Sequence, residues 1–214
     1  MPTEGKLPAT AAQWSTRELI LLEASRLFAT RGFRGTSTRD ICTAVGIRQP
    51  SLYSHFLSKQ AIAQELLSRD LNSGIEALDR FARDGGSPSV ELYRYLRWEI
   101  TYDLEDPFDK RVLYNVEILA LPELDGCREL LDVYNNRLEA LIRRGIRGKD
   151  FIALDVIFLR RTVDAIILEA MRGSAEGAPI ADQPDLAATV VLRALMQTPG
   201  EIDSVRARAH SAGL

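Results

Sequence analysis

An all-α fold is predicted by three observations in this sequence of 214 residues. Apolar residues recur three and four positions apart in nearly every segment. Those segments open on Ser, Thr or Ser-Pro and close on Gly or Pro. Neither alternating apolar and polar runs nor hairpin turn signals occur. The pattern resolves into about nine helices with no sheet and no internal repeat.

Residues 1–14, rich in Pro, Ala, Thr and Gly and without periodicity, are expected to form a disordered arm. A helix then starts at Ser15 or Thr16, places Ile20, Ala24, Leu27 and Phe28 on one face and ends at Gly32. From Thr38 to Phe56 two short helical patterns flank the turn Val45-Gly46-Ile47, the arrangement of a helix-turn-helix. Ser37 caps the first, with Asp40 reaching back to the cap, and Ile41 and Val45 form its apolar stripe. In the second, Pro50 is tolerated in the first turn and Leu52 faces inward. Arg48, Gln49, Ser51 and Tyr53 then form a polar surface suited to a DNA major groove.

Ser58 caps a long helix carrying Ala61, Ile62, Leu66, Leu67 and Leu71 and closing at Asp84-Gly85-Gly86. Ser87-Pro88 restarts the chain as cap and first-turn proline for a helix with Leu92, Tyr95, Leu96, Trp98, Glu99 and Tyr102. Helices are expected over Phe108–Leu119 and Cys127–Ile146, and over Phe151–Arg172, which is apolar on more than one face and so expected to be buried on two sides. After a loop from Gly173 to Pro184, a last helix offers Leu186, Val190, Val191, Ala194 and Leu195 before Pro199-Gly200. The two apolar helices nearest the C-terminus suggest a subunit interface. The organisation expected is an arm at 1–14, a helix-turn-helix domain at 15–60, a helical effector-binding and dimerisation domain at 61–198, and a tail at 199–214.

Composition, at 46% hydrophobic and 27% charged residues, is that of an ordinary globular protein. The net charge of −3 conceals a division along the chain. Residues 1–60 hold eight Lys or Arg against four Asp or Glu, net +4, and residues 61–214 hold nineteen against twenty-six, net −7. Only the N-terminal part favours a phosphate backbone. Cys42 and Cys127 lack metal-ligand spacing and no signal sequence is evident, so a cytoplasmic protein is expected. The most apolar stretch, Val156–Met171, is interrupted by Arg160, Arg161, Asp164 and Glu169, which argues against a membrane span.

The two histidines, His55 and His210, have neither a nucleophile with a supporting carboxylate nor a metal cluster around them. No enzymatic activity, metal or cofactor is therefore expected. Trp98, Tyr102, Tyr114, Tyr134 and Phe158 share segments with Glu99, Glu117 and Asp164. Aromatics at helical spacing are more often core than ligand contacts. As a set with carboxylates they form a candidate effector site, able to hold a cation or accept hydrogen bonds. Salt bridges to Arg97, Arg160 or Arg161 account for the acids equally well. The run Arg143, Arg144, Arg147 and Lys149 is most simply a cation-favouring helix C-terminus.

The segments Ala29-Thr30-Arg31-Gly32-Phe33, Thr36-Ser37-Thr38-Arg39-Asp40-Ile41, Val45-Gly46-Ile47 and Leu52-Tyr53-Ser54-His55-Phe56-Leu57-Ser58-Lys59, in this order, resemble the TetR family of bacterial transcriptional regulators. The resemblance covers residues 15 to 66. It implies a homodimer with a four-helix interface, a palindromic double-stranded DNA operator, and a variable C-terminal domain that takes a small-molecule effector, here of unknown identity. Gln49, Pro50 and Ser51 stand where the family reads base edges. Tyr53, His55 and Lys59 stand where it grips phosphates, with Ser37 or Thr38 adding a backbone contact. The chemistry agrees, since Gln pairs with adenine, Arg with guanine, and hydroxyls with phosphate oxygens. Arg48 departs from the usual Ser or Thr cap and is expected to read a guanine or hold a phosphate. Cys42 replaces a small Ala.

The function expected is a ligand-responsive transcriptional regulator, a repressor released from its operator by the effector. The alternatives are a helical small-molecule-binding or enzymatic protein that has lost its DNA role, and a purely structural helical dimer.

Overall fold

A computed structural model describes residues 14–175 and 180–211; the expected arm before Trp14 and part of the loop before Pro184 lie outside the described residues. The described chain is helical, with ten α-helices and one isolated antiparallel bridge, Phe151 to Met196. It divides into two compact units. One comprises the chain up to Ser68 together with Pro107–Cys127, and the other Arg69–Asp106 with Arg128–Leu214.

The first unit holds α1 (Thr16–Arg31), α2 (Thr38–Val45), α3 (Gln49–Tyr53) and the start of α4 (Lys59–Asp84). Local chemistry sets the starts. Ser15 and Glu18, and Ser37 and Asp40, form reciprocal capping boxes, and the Ser58 hydroxyl accepts from the Ala61 amide at 3.1 Å. Three short helices have too little apolar surface to close a core by themselves. The deficit is met by residues 107–127, which add Phe108, Leu113, Ile118, Leu124 and Cys127 to the core of Ile20, Phe28, Ile41, Leu52, Phe56, Ile62 and Leu66. Trp14 packs edge-on against Phe108, with ring centroids 5.8 Å apart.

This inserted segment departs from the single helix expected over Phe108–Leu119. A 3-10 turn at Arg111–Tyr114 stops at Asn115, whose extended backbone and side chain, accepting from the Glu117 amide at 2.8 Å, cap the short α6 (Val116–Leu119). A second 3-10 turn, Pro122–Leu124, leads into α7 (Asp125–Arg147).

In the second unit α5 (Pro88–Glu105) buries Leu92, Tyr93, Tyr95, Leu96 and Ile100 and packs against α8 (Val156–Ala175), α9 (Gln183–Leu195) and α10 (Ile202–Ser211). Ser87 makes no side-chain cap for α5; the Asp150 carboxylate accepts from the Ser89 amide instead, at 3.1 Å. Helix α8 begins at Val156, not Phe151. The Phe151 ring lies over Gly145, where a Cβ atom would fall 2.1 Å from it. Bonds from Ile152 N to Leu195 O (2.8 Å) and Gln197 N to Asp150 O (2.9 Å) flank its bridge to Met196.

The expected tail also differs. Ile202, Val205 and Ala209 recur at helical spacing and are buried as one face of α10. Arg206 binds the buried Asp185 carboxylate through Nη2 at 2.6 Å, and the Tyr93 hydroxyl donates to the same carboxylate. Within the single chain, helix α8 buries Leu159, Val163, Ile167 and Ala170 on one face. Ile157 and Phe158, with Leu186 and Val190 of α9, remain exposed, Phe158 at 62%. Among the described residues no helix is long and apolar enough to cross a membrane.

Candidate nucleic-acid interface

Helices α2 and α3 are joined through Gly46, whose left-handed backbone (φ 78°, ψ 28°) lets its own amide and that of Ile47 bond the Cys42 carbonyl at 2.9 and 3.0 Å. Leu52 is fully buried, and this fixes which way α3 faces. Arg48, Gln49, Pro50, Tyr53 and His55 are exposed and Ser51 is half-buried. Arg48 occupies the cap position of α3 without a side-chain cap bond, so its guanidinium is not used in starting the helix.

Beside α3, an open depression is lined by Arg34, Gly35, Thr36, Ser37, Thr38, Tyr53, Leu57, Ser58, Lys59 and Gln60. The Thr38 and Tyr53 hydroxyls face each other at 3.5 Å. Ser37 donates from its side chain and backbone to Asp40, which holds that carboxyl below its usual range. Lys59 is half-buried, and its ammonium donates to the carbonyls of Phe33 (2.7 Å) and Thr36 (2.8 Å). Desolvation lowers its pKa. An ammonium has three protons, so these two carbonyls do not exhaust its donors, and Lys59 is among the residues lining the depression. Hydroxyls and cations converging on one open surface are the chemistry of a phosphate-backbone contact.

The structure thus brings Ser37, Thr38, Tyr53 and Lys59 together, with Gln49, Pro50 and Ser51 at the neighbouring helix tip. Arg34 lines the same depression, and Arg39 is exposed in the first turn of α2. They were missed in the sequence, where the only signal was two basic residues flanking the Ser37 cap.

The candidate effector residues are distributed differently. Trp98, Glu99 and Tyr102 on α5 and Tyr134 on α7 lie in the second unit, Phe158 is exposed there, and Tyr114 and Glu117 belong to the first unit. Trp98 stacks on Tyr102 with centroids 5.2 Å apart. The hydroxyl of Tyr134 meets that of Tyr95 at 2.6 Å, a partner absent from the set expected from the sequence. Burial, with the carboxylates of Glu99 and Asp164 nearby, raises the Tyr134 hydroxyl well above its ordinary pKa. Asp164 itself is pushed up to about 6 by burial, against the attraction of Arg160. Glu117 pairs with Arg34 at 3.3 Å. Among the described residues no group of His, Cys, Asp and Glu is arranged to hold a metal ion.

Residues 20–66 match the family described as "Bacterial regulatory proteins, tetR family". The chain is 48% identical over 58 residues to the HTH-type transcriptional repressor KstR2 of Mycobacterium tuberculosis, covering 27% of this chain and 29% of that protein. To the HTH-type transcriptional regulator UidR of Escherichia coli K12 it is 32% identical over 105 residues, 49% of this chain and 50% of that one. The chain therefore spans between under a third and half the length of these curated relatives. Over nearly the whole chain its fold is similar to the crystal structure of AmtR from Mycobacterium smegmatis, with TM-score 0.81, 22% identity, and 95% and 96% of the two chains covered. PfmR, a TetR family transcriptional regulator from Thermus thermophilus, superposes with TM-score 0.68 at 26% identity over 81% of this chain and 97% of that one.

Proposed function

We propose that this chain, whose residues 20–66 are a TetR-family DNA-binding domain, acts as a dimeric, ligand-responsive repressor. Paired α3 helices would enter successive major grooves of a palindromic operator about 34–36 Å apart. The observation that carries the reading is the exposed tip of α3 beside a hydroxyl- and cation-lined depression. Gln49, Pro50 and Ser51 face the bases, with Arg48 at the start of the helix. Ser37, Thr38, Tyr53, His55 and Lys59 grip the backbone.

The second unit supplies the remaining parts of this reading. The exposed apolar side chains of α8 and α9 form the contact between two copies. The interior around Trp98, Glu99, Tyr102 and Tyr134 takes the effector, which releases the operator by binding more tightly to a conformation with a different half-site spacing. No catalysis is needed, and a cytoplasmic setting belongs to the same reading.

The test is selection of duplex fragments from a random-sequence library by the purified protein, with affinity followed against salt. The expected result is an inverted repeat and a steep fall in affinity as salt rises, because several phosphates are neutralised per dimer. Fragments without a shared repeat, or binding indifferent to salt, would remove the reading.

A further inference from the structure

Glu117 was expected near an effector, yet it belongs to the unit that carries the helix-turn-helix. Its partner there is Arg34, with Nη2 at 3.3 Å from the Glu117 carboxylate. Arg34 lines the rim of the depression that also holds Ser37, Thr38, Tyr53 and Lys59. Of the cations in that lining, Lys59 has two protons engaged by the Phe33 and Thr36 carbonyls, whereas the Arg34 side chain is 82% exposed. A guanidinium in that position has the fork that suits a phosphate, and a carboxylate presents the same paired oxygens to it.

We infer that Arg34 is a DNA-backbone contact and that Glu117 is its intramolecular rival, occupying the guanidinium when no phosphate does; this rests on the reading of the depression as a DNA-backbone site. Glu117 is presented firmly. Its amide is capped by Asn115, and its neighbour Ile118 is buried in the unit's core with Leu113. DNA must therefore displace or share an existing ion pair, and affinity depends on where α6 holds Glu117. Because α6 lies in sequence between α5 and α7, a shift of this inserted segment against the α1–α2 connection would change how available Arg34 is. The device is a setting for operator affinity outside the recognition helix.

The experiment compares wild type, Arg34→Ala, Glu117→Gln and the double variant on a duplex fragment selected by the wild-type protein, across a potassium chloride series. Both side chains are largely exposed, so circular dichroism should show all four folded alike. Glu117→Gln should bind about two- to fivefold tighter, the size of an exposed ion pair released. Arg34→Ala should bind more weakly, with the salt slope reduced by about 0.9 for each phosphate that is no longer neutralised. The double variant should behave as Arg34→Ala. Wild-type affinity and slope in Arg34→Ala would overturn the inference while leaving the DNA reading intact. So would an undiminished tightening by Glu117→Gln in the Arg34→Ala background, which would make the effect one of general charge. A wild-type protein that selects no fragment and shows no salt-dependent binding would overturn both.

Discussion

The Lys59 ammonium lies 2.7 Å from the carbonyl oxygen of Phe33 and 4.6 Å from the centre of the same residue's ring. Together with its bond to the Thr36 carbonyl, this ties the first turn of α4 to the connection that precedes α2. Lys59 is thus a positioning residue as well as a candidate phosphate contact. Lys59→Ala leaves carbonyls at the largely buried Phe33 and Thr36 without this donor, and should cost about 1–2 kcal/mol of stability. Thermal unfolding and the salt slope of DNA binding should both change in that variant. Unchanged stability with a reduced slope would assign Lys59 to the phosphate alone.

Arg206 on α10 and the Tyr93 hydroxyl on α5 share the Asp185 carboxylate, whose side chain is only 7% exposed. Removing the guanidinium leaves that carboxylate with one donor. Arg206 is itself 37% exposed, and the expected cost of Arg206→Ala is accordingly about 1–2 kcal/mol rather than that of a fully buried pair. Urea unfolding should show the loss, and Asp185→Asn in the same chain should recover part of it because no buried charge is then stranded. A variant as stable as wild type would mean that α10 is held by Ile202, Val205 and Ala209 alone.

How much of this was legible in the sequence follows from the range of the interactions. The starts of α1, α2 and α4 could be read because each cap is satisfied three residues away, by Glu18, Asp40 and Ala61. The start of α5 was legible too, with Ser87 at the cap position and Pro88 in the first turn, but its capping carboxylate was not, because Asp150 comes from 61 residues along the chain. Asn115 broke an expected helix by a local cap that apolar periodicity concealed. The role of Phe108, Leu113 and Ile118 in the first unit's core depended on packing that no spacing encodes. At the candidate interface, the polar face of α3 followed from Leu52 pointing inward. The pairing of Arg34 with Glu117 joins residues 34 and 117 and had no local signal. Helix α10 was within reach, but its Arg-, Ala- and Ser-rich composition hid the spacing of three buried residues.

The exposed apolar side chains Ile157, Phe158, Leu186 and Val190 lie on α8 and α9, which pack against each other. A face of this kind left in water favours association. Phe158→Glu and Val190→Glu should each shift the protein toward monomer in sedimentation velocity at micromolar concentration, with helical content unchanged. On the proposed reading, affinity for a selected duplex fragment should fall with the dimer, since each recognition helix then binds alone. Monomeric wild-type protein would assign this face to another partner.

Asp164 sets a pH dependence whose sign is opposite to that of an ordinary paired carboxylate. In the unfolded chain an Asp titrates near 3.9, whereas burial pushes Asp164 up to about 6 despite Arg160. Between roughly pH 4 and 6 the folded state therefore holds a proton that the unfolded state lacks. Stability from this group rises as pH falls from 7 toward 4, and is lost as pH rises through that window. Glu91, also raised by burial against Arg144, acts in the same direction. Asp40, lowered by its bonds from Ser37, acts in the opposite one. With the Asp164 side chain about a third exposed, the contribution across the window is about 1–2 kcal/mol after allowance for solvent screening. Asp164→Asn removes it while Arg160 keeps Glu139 at 3.2 Å. Urea unfolding of both proteins from pH 4 to 7 isolates the group, because Glu91 and Asp40 are common to both. The stability of wild type relative to Asp164→Asn should increase steadily on acidification, and a difference constant with pH would show that Asp164 titrates as it does in the unfolded chain.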